Sequence, residues 1–155
     1  MRVYISGTSG FIASHLIKFF KEKKYEVVSV NRQYSKIIDG PEVITYENFI
    51  NADLNIDKNK NFFIHTAWHG VCGKERNATH QFENIPLTAK LFQKCLNCGF
   101  EKFVFFGSQA EYKNTKEIMH EGSIIGPSSL YGIAKNAVFN ILSEIERAKN
   151  KKLLL

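Results

Sequence analysis

The chain of 155 residues is predicted to form an α/β fold with a doubly wound parallel sheet. Two observations lead to this prediction. Short apolar runs rich in β-branched and aromatic residues recur along the chain, and amphipathic helical patterns separate several of them. The runs are continuous rather than alternating, which is typical of strands that a parallel sheet buries on both faces. The five predicted strands are Arg2–Ser6, Glu26–Val30, Glu42–Tyr46, Phe62–Ala67 and Phe103–Gly107.

Three helices are predicted from apolar residues that repeat at intervals of three and four positions. They cover Phe11–Phe20, Leu87–Cys95 and Ala134–Ala148. Between these elements, the Asn- and Asp-rich segment Glu47–Asn61 is predicted to be a loop with one short helix. The segment Trp68–Glu83, which mixes glycine, histidine and charge, is predicted to be a long loop that leads into a helix.

Length and composition exclude several classes of protein. Residues 1–155 fit one domain. No stretch of about 18 uncharged apolar residues occurs, so we expect no membrane-spanning helix. The N-terminus lacks the apolar core and cleavage site of a secretory signal, so we expect a cytoplasmic protein. The net charge is +6, but the lysines are scattered and no nucleic-acid partner is expected. The positive field still favours a small anionic ligand.

The three cysteines cannot all pair within one chain, and free thiols fit a reducing compartment. Cys95 and Cys98 form a CxxC pair, but no second pair or Cys/His cluster accompanies it. Cys95 also continues the helical apolar series of Leu87 and Leu91, which favours packing in the core. The sequence therefore predicts no metal ligands.

A glycine-rich turn follows the first predicted strand and opens the first helix. A helix N-terminus presents free N–H groups and a partial positive charge, so a turn of this kind can hold a pyrophosphate. The alternative is an ordinary strand-to-helix turn that contains two glycines. We favour a dinucleotide site because the turn lies between a terminal strand and an amphipathic helix. The predicted site residues are Gly7, Thr8, Ser9, Gly10, Phe11 and Ile12.

The second predicted strand leads into Asn31 and Arg32, where an acidic residue would bind the adenosine ribose. Asn31 can hydrogen-bond a hydroxyl group, and the planar guanidinium of Arg32 can pair with a 2′-phosphate. This pattern favours NADP over NAD. The alternative is that Arg32 is a solvated residue at the end of a strand.

Tyr131 and Lys135 are predicted to share one face of the last helix, because four residues turn it by about 400°. The same face carries Val138 and Leu142, and a lysine on a core-facing stripe is costly without a partner. An ammonium group lowers the pKa of a neighbouring tyrosine, which can then act as a general acid or base. The pair therefore predicts a catalytic site.

Ser108 follows the fifth predicted strand. Ligands of open parallel sheets bind at the carboxyl ends of the strands, so this hydroxyl group could bond a substrate carbonyl or hydroxyl. The alternative is a serine that only stabilises the turn.

In these motifs the sequence resembles the extended short-chain dehydrogenase/reductase family, the NAD(P)-dependent nucleotide-sugar epimerases and dehydratases. The resemblance implies a Rossmann-type sheet. It implies that Tyr131 is the catalytic acid or base, that Lys135 modulates it and binds the ribose, and that Ser108 polarises the substrate. The matching segments are Gly7–Ala13, Phe63–Ala67, Asn84, Phe103–Ser108 and Glu121–Lys135.

Further implications of the resemblance concern the cofactor wall and the partners. The strand end formed by His65, Thr66 and Ala67 would line the cofactor site. Asn84 matches a family position near the active site, although the residue pattern before Pro86 also fits a helix N-cap. The implied partners are NAD or NADP, a nucleotide-sugar substrate and a second copy of the chain in a homodimer.

Two departures from the family pattern refine these expectations. Ala13 replaces a third glycine, which another small residue tolerates. Gln109 and Ala110 stand where dehydratases carry an Asp-Glu pair. The resemblance therefore favours a nucleotide-sugar epimerase or a 4-ketosugar reductase over a dehydratase.

The end of the chain is the largest departure. Members of the family continue with further strands and a substrate domain, whereas this sequence stops at Leu155, shortly after the helix of Tyr131 and Lys135. We therefore expect the cofactor-binding half of such an enzyme, with the last strands and the substrate domain missing. The alternative is a catalytically inactive dinucleotide-binding module or a truncated remnant.

Overall fold

Within residues 1–33, 40–54 and 60–153, which the computed structural model describes, five parallel strands form one sheet. They are β1 (Arg2–Ser6), β2 (Glu26–Asn31), β3 (Glu42–Thr45), β4 (Asn61–His65) and β5 (Lys102–Phe105). Their order in space is β3-β2-β1-β4-β5, and every neighbouring pair is parallel. The strand order reverses between β1 and β4, and ligands of such sheets bind at that switch point.

Helices cover both faces of the sheet. They are α1 (Phe11–Glu22), α2 (Tyr46–Asn51), α3 (Asn84–Cys98) and α4 (Leu130–Lys149). One apolar cluster joins α1 to the sheet, and a second, larger cluster joins the sheet to the other three helices. No helix in the described part of the chain is long and apolar enough to cross a bilayer.

The larger core consists mainly of aromatic rings. The ring of Phe49, which has no exposed surface, lies 5.5 Å from the ring of Tyr4 and 5.1 Å from that of Phe63. Phe63 in turn stacks on Phe103, also at 5.1 Å. Cys95 is fully buried in the same cluster, as predicted, and burial raises the pKa of its thiol well above the usual value.

Several element boundaries differ from the sequence prediction. Tyr46 begins α2 rather than ending β3, because the side chain of Thr45 accepts a hydrogen bond from the N–H of Asn48 and caps the helix. The predicted loop Glu47–Asn61 does contain this short helix, and its residues 55–59 lie outside the described residues. The segment Trp68–Glu83 is not only a loop. It contains two short 3₁₀ helices, Gly73–Asn77 and Thr79–Glu83.

The strands β4 and β5 each end two residues earlier than predicted. After His65 the chain leaves the sheet, and the hydroxyl of Thr66 donates a hydrogen bond to the carbonyl of Ser6 at 2.6 Å. After α4, the carbonyl of Leu153 accepts a hydrogen bond from the N–H of Phe103 at 2.8 Å, and the Leu153 side chain is buried. The chain thus returns to the edge of the sheet beside β5.

Candidate active site

The glycine-rich turn lies at the switch point of the sheet. Gly7 has a φ of +75°, and a Cβ at this position would stand 2.7 Å from the Cα of Ala67. Only glycine fits, because the backbone is left-handed and the loop after β4 packs against it. The N–H of Gly10 donates to the carbonyl of Gly7 at 2.9 Å and closes the turn. The ends of β1 and β4 are therefore held in direct contact.

The N-terminus of α1 is open toward this turn. Gly10 is the N-cap residue, no side chain caps it, and the first turn of the helix contains no acidic residue. Ser9, Phe11 and Ile12 are exposed around it. These features fit an anion that accepts hydrogen bonds from backbone N–H groups, such as a pyrophosphate.

A cavity of about 560 Å³ extends from the glycine turn along the ends of the strands. Its size suits a small-molecule ligand. It brings together most of the residues that the sequence analysis assigned to the cofactor. Its walls include Gly7, Ser9, Gly10, Phe11, Ile12, Arg32, His65, Thr66 and Ala67.

Two other predicted cofactor residues are bonded to each other. The hydroxyl of buried Thr8 donates to the Oδ1 of Asn31 at 3.0 Å and lies 2.8 Å from the Asn31 Nδ2. The Asn31 side chain thus ties β2 to the glycine turn, in addition to any contact it makes with a ligand. Arg32 is exposed on the cavity wall.

His65 is a buried, neutral residue on the cavity side of β4. Its Nδ1 lies 2.7 Å from the Ser6 hydroxyl, and its Nε2 lies 3.0 Å from the Thr88 hydroxyl. Because Thr88 donates its proton to the carbonyl of Asn84, Nε2 carries the imidazole proton and Nδ1 accepts from Ser6. Burial, assisted by the charge of Lys135, lowers the pKa of His65 to about 3. The residue therefore fixes the strand end and carries no charge at neutral pH.

The first turn of α4 is fixed at both sides. The Ser129 hydroxyl accepts a hydrogen bond from the N–H of Gly132 at 3.2 Å, and the Oδ1 of Asn77 accepts one from the N–H of Leu130 at 3.1 Å. A Cβ on Gly132 would collide with the carbonyl oxygen of Ala110. The glycine beside Tyr131 therefore lets α4 pack directly against the turn that follows β5.

Lys135 has the partner that its core-facing position requires. Its Nζ donates to the carbonyl of Phe106 at 2.8 Å and lies over the rings of Trp68 and Phe105, at 4.0 and 4.6 Å from their centres. The residue is only 5% exposed. Burial lowers the pKa of Lys135 to about 8, and the negative charge of Glu111 partly opposes this shift.

Tyr131 is enclosed by two side chains that the sequence analysis did not identify. The Trp68 ring packs edge-on against the Tyr131 ring at 5.9 Å, and the guanidinium of Arg76 lies 4.7 Å over its centre. Trp68 contacts both Tyr131 and Lys135, and so joins the predicted catalytic pair to the cofactor cavity that it also lines. Its place directly after the strand end His65–Ala67 was the available signal.

A hydrogen-bond network holds Trp68 in place. The indole N–H donates to the Oε1 of buried Gln81 at 2.8 Å, and the Nε2 of Gln81 donates to the carbonyls of Gly70 and Glu75. Asn84 completes the network. Its Oδ1 accepts from the N–H of His69 at 2.9 Å, and its Nδ2 donates to the His69 carbonyl at 3.1 Å.

The expectation that Asn84 is a helix N-cap is wrong. Glu83 holds the N-cap position of α3, without a side-chain hydrogen bond. Asn84 is instead the first residue of the helix, and it lines the cofactor cavity. Its carboxamide pairs with the N–H and the carbonyl of His69, and so supplies hydrogen-bond partners for the backbone of the loop after β4.

Ser108 is the N-cap residue of the short 3₁₀ helix Gln109–Glu111. Its hydroxyl accepts from the N–H of Ala110 at 3.2 Å, and its own N–H donates to the carboxylate of Glu111. Burial raises the pKa of Glu111, opposed by the Ser108 N–H and by Lys135. Ser108 lines a second cavity of about 610 Å³, together with Gln109 and Glu111, rather than the cofactor cavity.

Residues 3–154 match the NAD dependent epimerase/dehydratase family. The chain belongs to this family. Its resemblance to the nucleotide-sugar epimerases and dehydratases is thereby confirmed, and so is the family's dependence on a nicotinamide dinucleotide, predicted as NAD or NADP.

Individual relatives agree with the family assignment. The chain is 26% identical to YtcB of Bacillus subtilis, an uncharacterised UDP-glucose epimerase, over 87% of this chain and 48% of YtcB. MoeE5, solved with UDP-glucose and NAD, is 25% identical with a TM-score of 0.79, over 99% of this chain and 52% of MoeE5. UDP-glucose 4-epimerase from Thermotoga maritima, solved with UDP-glucose, is 22% identical with a TM-score of 0.79. This match covers 99% of this chain and 54% of the epimerase.

These relatives confirm the predicted Rossmann-type α/β fold. The chain spans about half the length of the relatives that it matches.

Proposed function

We propose that residues 1–155 form the NAD- or NADP-binding domain of a nucleotide-sugar epimerase or 4-ketosugar reductase. One observation carries the proposal. Tyr131 and Lys135 do not themselves line the cavity that opens at the glycine turn, but Trp68 lines it and contacts both of them. A cofactor in the cavity would therefore approach the pair that the chemistry needs.

The glycine turn would hold the pyrophosphate. Gly10, Phe11 and Ile12 at the start of α1 line the cavity, no side chain caps this helix, and Gly7 leaves space for close approach. Thr66 and Ala67 would form the opposite wall. Arg32 is exposed on the cavity wall, where its guanidinium could bind the 2′-phosphate of NADP. The structure of MoeE5 contains NAD, which favours NAD as the cofactor instead.

Tyr131 would transfer the proton of the reacting hydroxyl group. The bound nicotinamide supplies or accepts the hydride at the sugar carbon. As a carbonyl group forms there, the phenolate of Tyr131 would take the hydroxyl proton and become a phenol, and this phenol would return the proton when the carbonyl is reduced. Lys135, fixed by the Phe106 carbonyl, keeps a cation close to the reacting atoms and would hold the ribose hydroxyls.

Ser108 would polarise the substrate from the end of β5. Its oxygen already accepts a hydrogen bond from Ala110, so its proton is free to donate to a substrate oxygen. Gln109 and Ala110 provide neither an acid nor a base, and this absence supports an epimerase or reductase over a dehydratase.

The exposed surface and the cysteines bear on the oligomeric state and the cellular location of the protein. The exposed apolar side chains of Ile133, Phe139 and Ile141 on α4 support a homodimer through this helix. The three free cysteines support a cytoplasmic location.

Turnover of UDP-sugars by the enzyme that contains this domain, supplied with NAD or NADPH, tests the proposal. We expect Tyr131→Phe to lower turnover by about 10²–10⁴-fold without loss of cofactor affinity, because it removes only the transferable proton. The matched control, Tyr25→Phe, lies in the cluster around α1, outside both cavities, and should keep full activity. Equal turnover in Tyr131→Phe and the unaltered protein would refute the proton-transfer role.

The same experiment separates the alternatives. An epimerase interconverts sugars without net consumption of the cofactor, whereas a reductase oxidises one NADPH for each sugar. Cofactor binding without binding of any UDP-sugar would show a dinucleotide-binding module instead of an enzyme.

A further inference from the structure

A cluster of two histidines and a glutamate lies in the segment between β4 and α3. His69 follows β4, Glu75 belongs to the first 3₁₀ helix, and His80 belongs to the second. Each offers one ligand atom, and these atoms all lie within 4.8 Å of one another. The cluster has no signature in the sequence, because five residues separate His69 from Glu75 and four separate Glu75 from His80, in a segment predicted to be a loop.

We propose that His69, Glu75 and His80 bind a divalent transition-metal ion, with Zn²⁺ the best match. Two imidazoles and one carboxylate are a ligand set that zinc accepts, with a fourth position left for water or another ligand. His69 also lines the cofactor cavity, but metal binding requires no bound cofactor. It stands or falls independently of the proposed function.

The distances between ligand atoms suit a shared ion. The Nε2 of His80 lies 3.2 Å from the Oε2 of Glu75. Zinc bonds of about 2.0–2.2 Å at a tetrahedral angle place two ligand atoms roughly 3.4 Å apart. These two residues therefore need no rearrangement. His69 is exposed, and its ligand atom lies within 4.8 Å of the other two, so it must move by up to roughly 1.4 Å to complete the set.

The His80 side chain is short of a partner. Its Nε2 is buried and has no hydrogen-bond partner among the described residues, because the approach to Glu75 lacks hydrogen-bond geometry. A buried polar atom without a partner is costly in a folded protein. A bound ion would satisfy it, and would also hold the carboxylate beside it.

The His69 and His80 rings stack on each other, so the exposed His69 ring must turn before both rings can direct a nitrogen at one ion, because a metal lies in the plane of each imidazole that binds it. Their centres are 4.2 Å apart and their planes differ by 23°. The neighbouring backbone is held by Gln81 and Asn84, which bond to Gly70, Glu75 and the main chain of His69. The loop positions that carry the three ligands are thus preorganised, as a metal site requires.

Titration of the metal-free chain with Zn²⁺ by calorimetry tests the proposal, with Co²⁺ absorption as a report on coordination. We expect one ion for each chain and the absorption bands of a four-coordinate site with nitrogen and oxygen ligands. His80→Ala and Glu75→Gln should each weaken binding at least about tenfold. Mg²⁺ and Ca²⁺ should not compete, because they prefer oxygen ligands.

Two controls make the assignment specific. His120→Ala removes an exposed histidine outside the cluster and should leave the affinity unchanged. Cys72→Ser removes the exposed thiol of the same loop and should also leave it unchanged. The proposal is overturned if no stoichiometric binding occurs, if His80→Ala binds as tightly as the unaltered chain, or if Cys72→Ser abolishes binding.

Discussion

The buried ammonium group of Lys135 should make the stability of the protein depend on pH in an unusual direction. Its pKa is lowered from 10.5 to about 8, mainly because burial removes the charge from water. Only 5% of the residue is exposed, so solvent screens this effect little. The charged form of Lys135 therefore lowers the free energy of unfolding. We expect this penalty to disappear at alkaline pH, where the folded protein loses the proton of Lys135.

The sign follows from proton binding in the two states. Below pH 8 both states hold the proton, and the cost is constant. Between pH 8 and 10.5 the unfolded chain keeps the proton that the folded protein has lost, so the free energy of unfolding rises with pH. Each pH unit contributes about 1.4 kcal/mol, which gives about 3 kcal/mol over the whole window.

Urea unfolding of the unaltered protein and of Lys135→Met, followed by circular dichroism from pH 7 to 10, measures this effect. Cys95 and Tyr46, whose pKa values burial raises, oppose the trend equally in both proteins. The difference between the two proteins therefore isolates Lys135. We expect the free energy of unfolding of the unaltered protein, relative to that of the variant, to increase by about 2–3 kcal/mol from pH 7 to 10. A constant difference, or a gain by the variant, would refute the reasoning.

Three further predictions concern stability. The pKa of His65 is about 3 in the folded protein and 6.5 in the unfolded chain. The free energy of unfolding should therefore fall as the pH drops from 6.5 to 3. In acid titrations of stability, His65→Leu should make this dependence on pH less steep. Phe49→Ala should lower the free energy of unfolding, measured in urea, by about 3–5 kcal/mol, and Ile118→Ala at an exposed position should change it little. Similar losses in both variants would contradict the assigned core. Gly132→Ala should lower the free energy of unfolding by about 1–3 kcal/mol, although alanine normally favours a helix, whereas Asn140→Ala at an exposed position of the same helix should not destabilise it. A gain in stability for Gly132→Ala would disprove the close packing of α4.

The fold was largely predictable because its signals are local. The continuous apolar runs lie on adjacent parallel strands, so their composition alone identifies them. The boundaries were less predictable where a side chain redirects the backbone. Thr45 caps α2 and so takes Tyr46 out of the preceding strand, and Thr66 bonds back to Ser6 where the strand was expected to continue.

The site was predictable where a motif carries its own geometry. Gly7 must stand in a left-handed turn, and Tyr131 and Lys135 must share a helix face. Trp68 and Arg76 were missed because their contacts with Tyr131 depend on how a loop packs against a distant helix. No spacing in the sequence reports such a contact.

Binding of NADH at the glycine turn tests the central claim most directly. Trp68 is the single tryptophan of the chain and lines the cavity, so energy transfer from its indole to NADH reports occupancy of this site. Exposed Ser9 lies at the N-terminus of α1. Ser9→Glu should weaken binding at least about tenfold by placing a carboxylate where the pyrophosphate is expected, whereas the uncharged Ser9→Gln should bind much more tightly than Ser9→Glu. Absence of saturable energy transfer, or equal affinity in the two variants, would contradict the account.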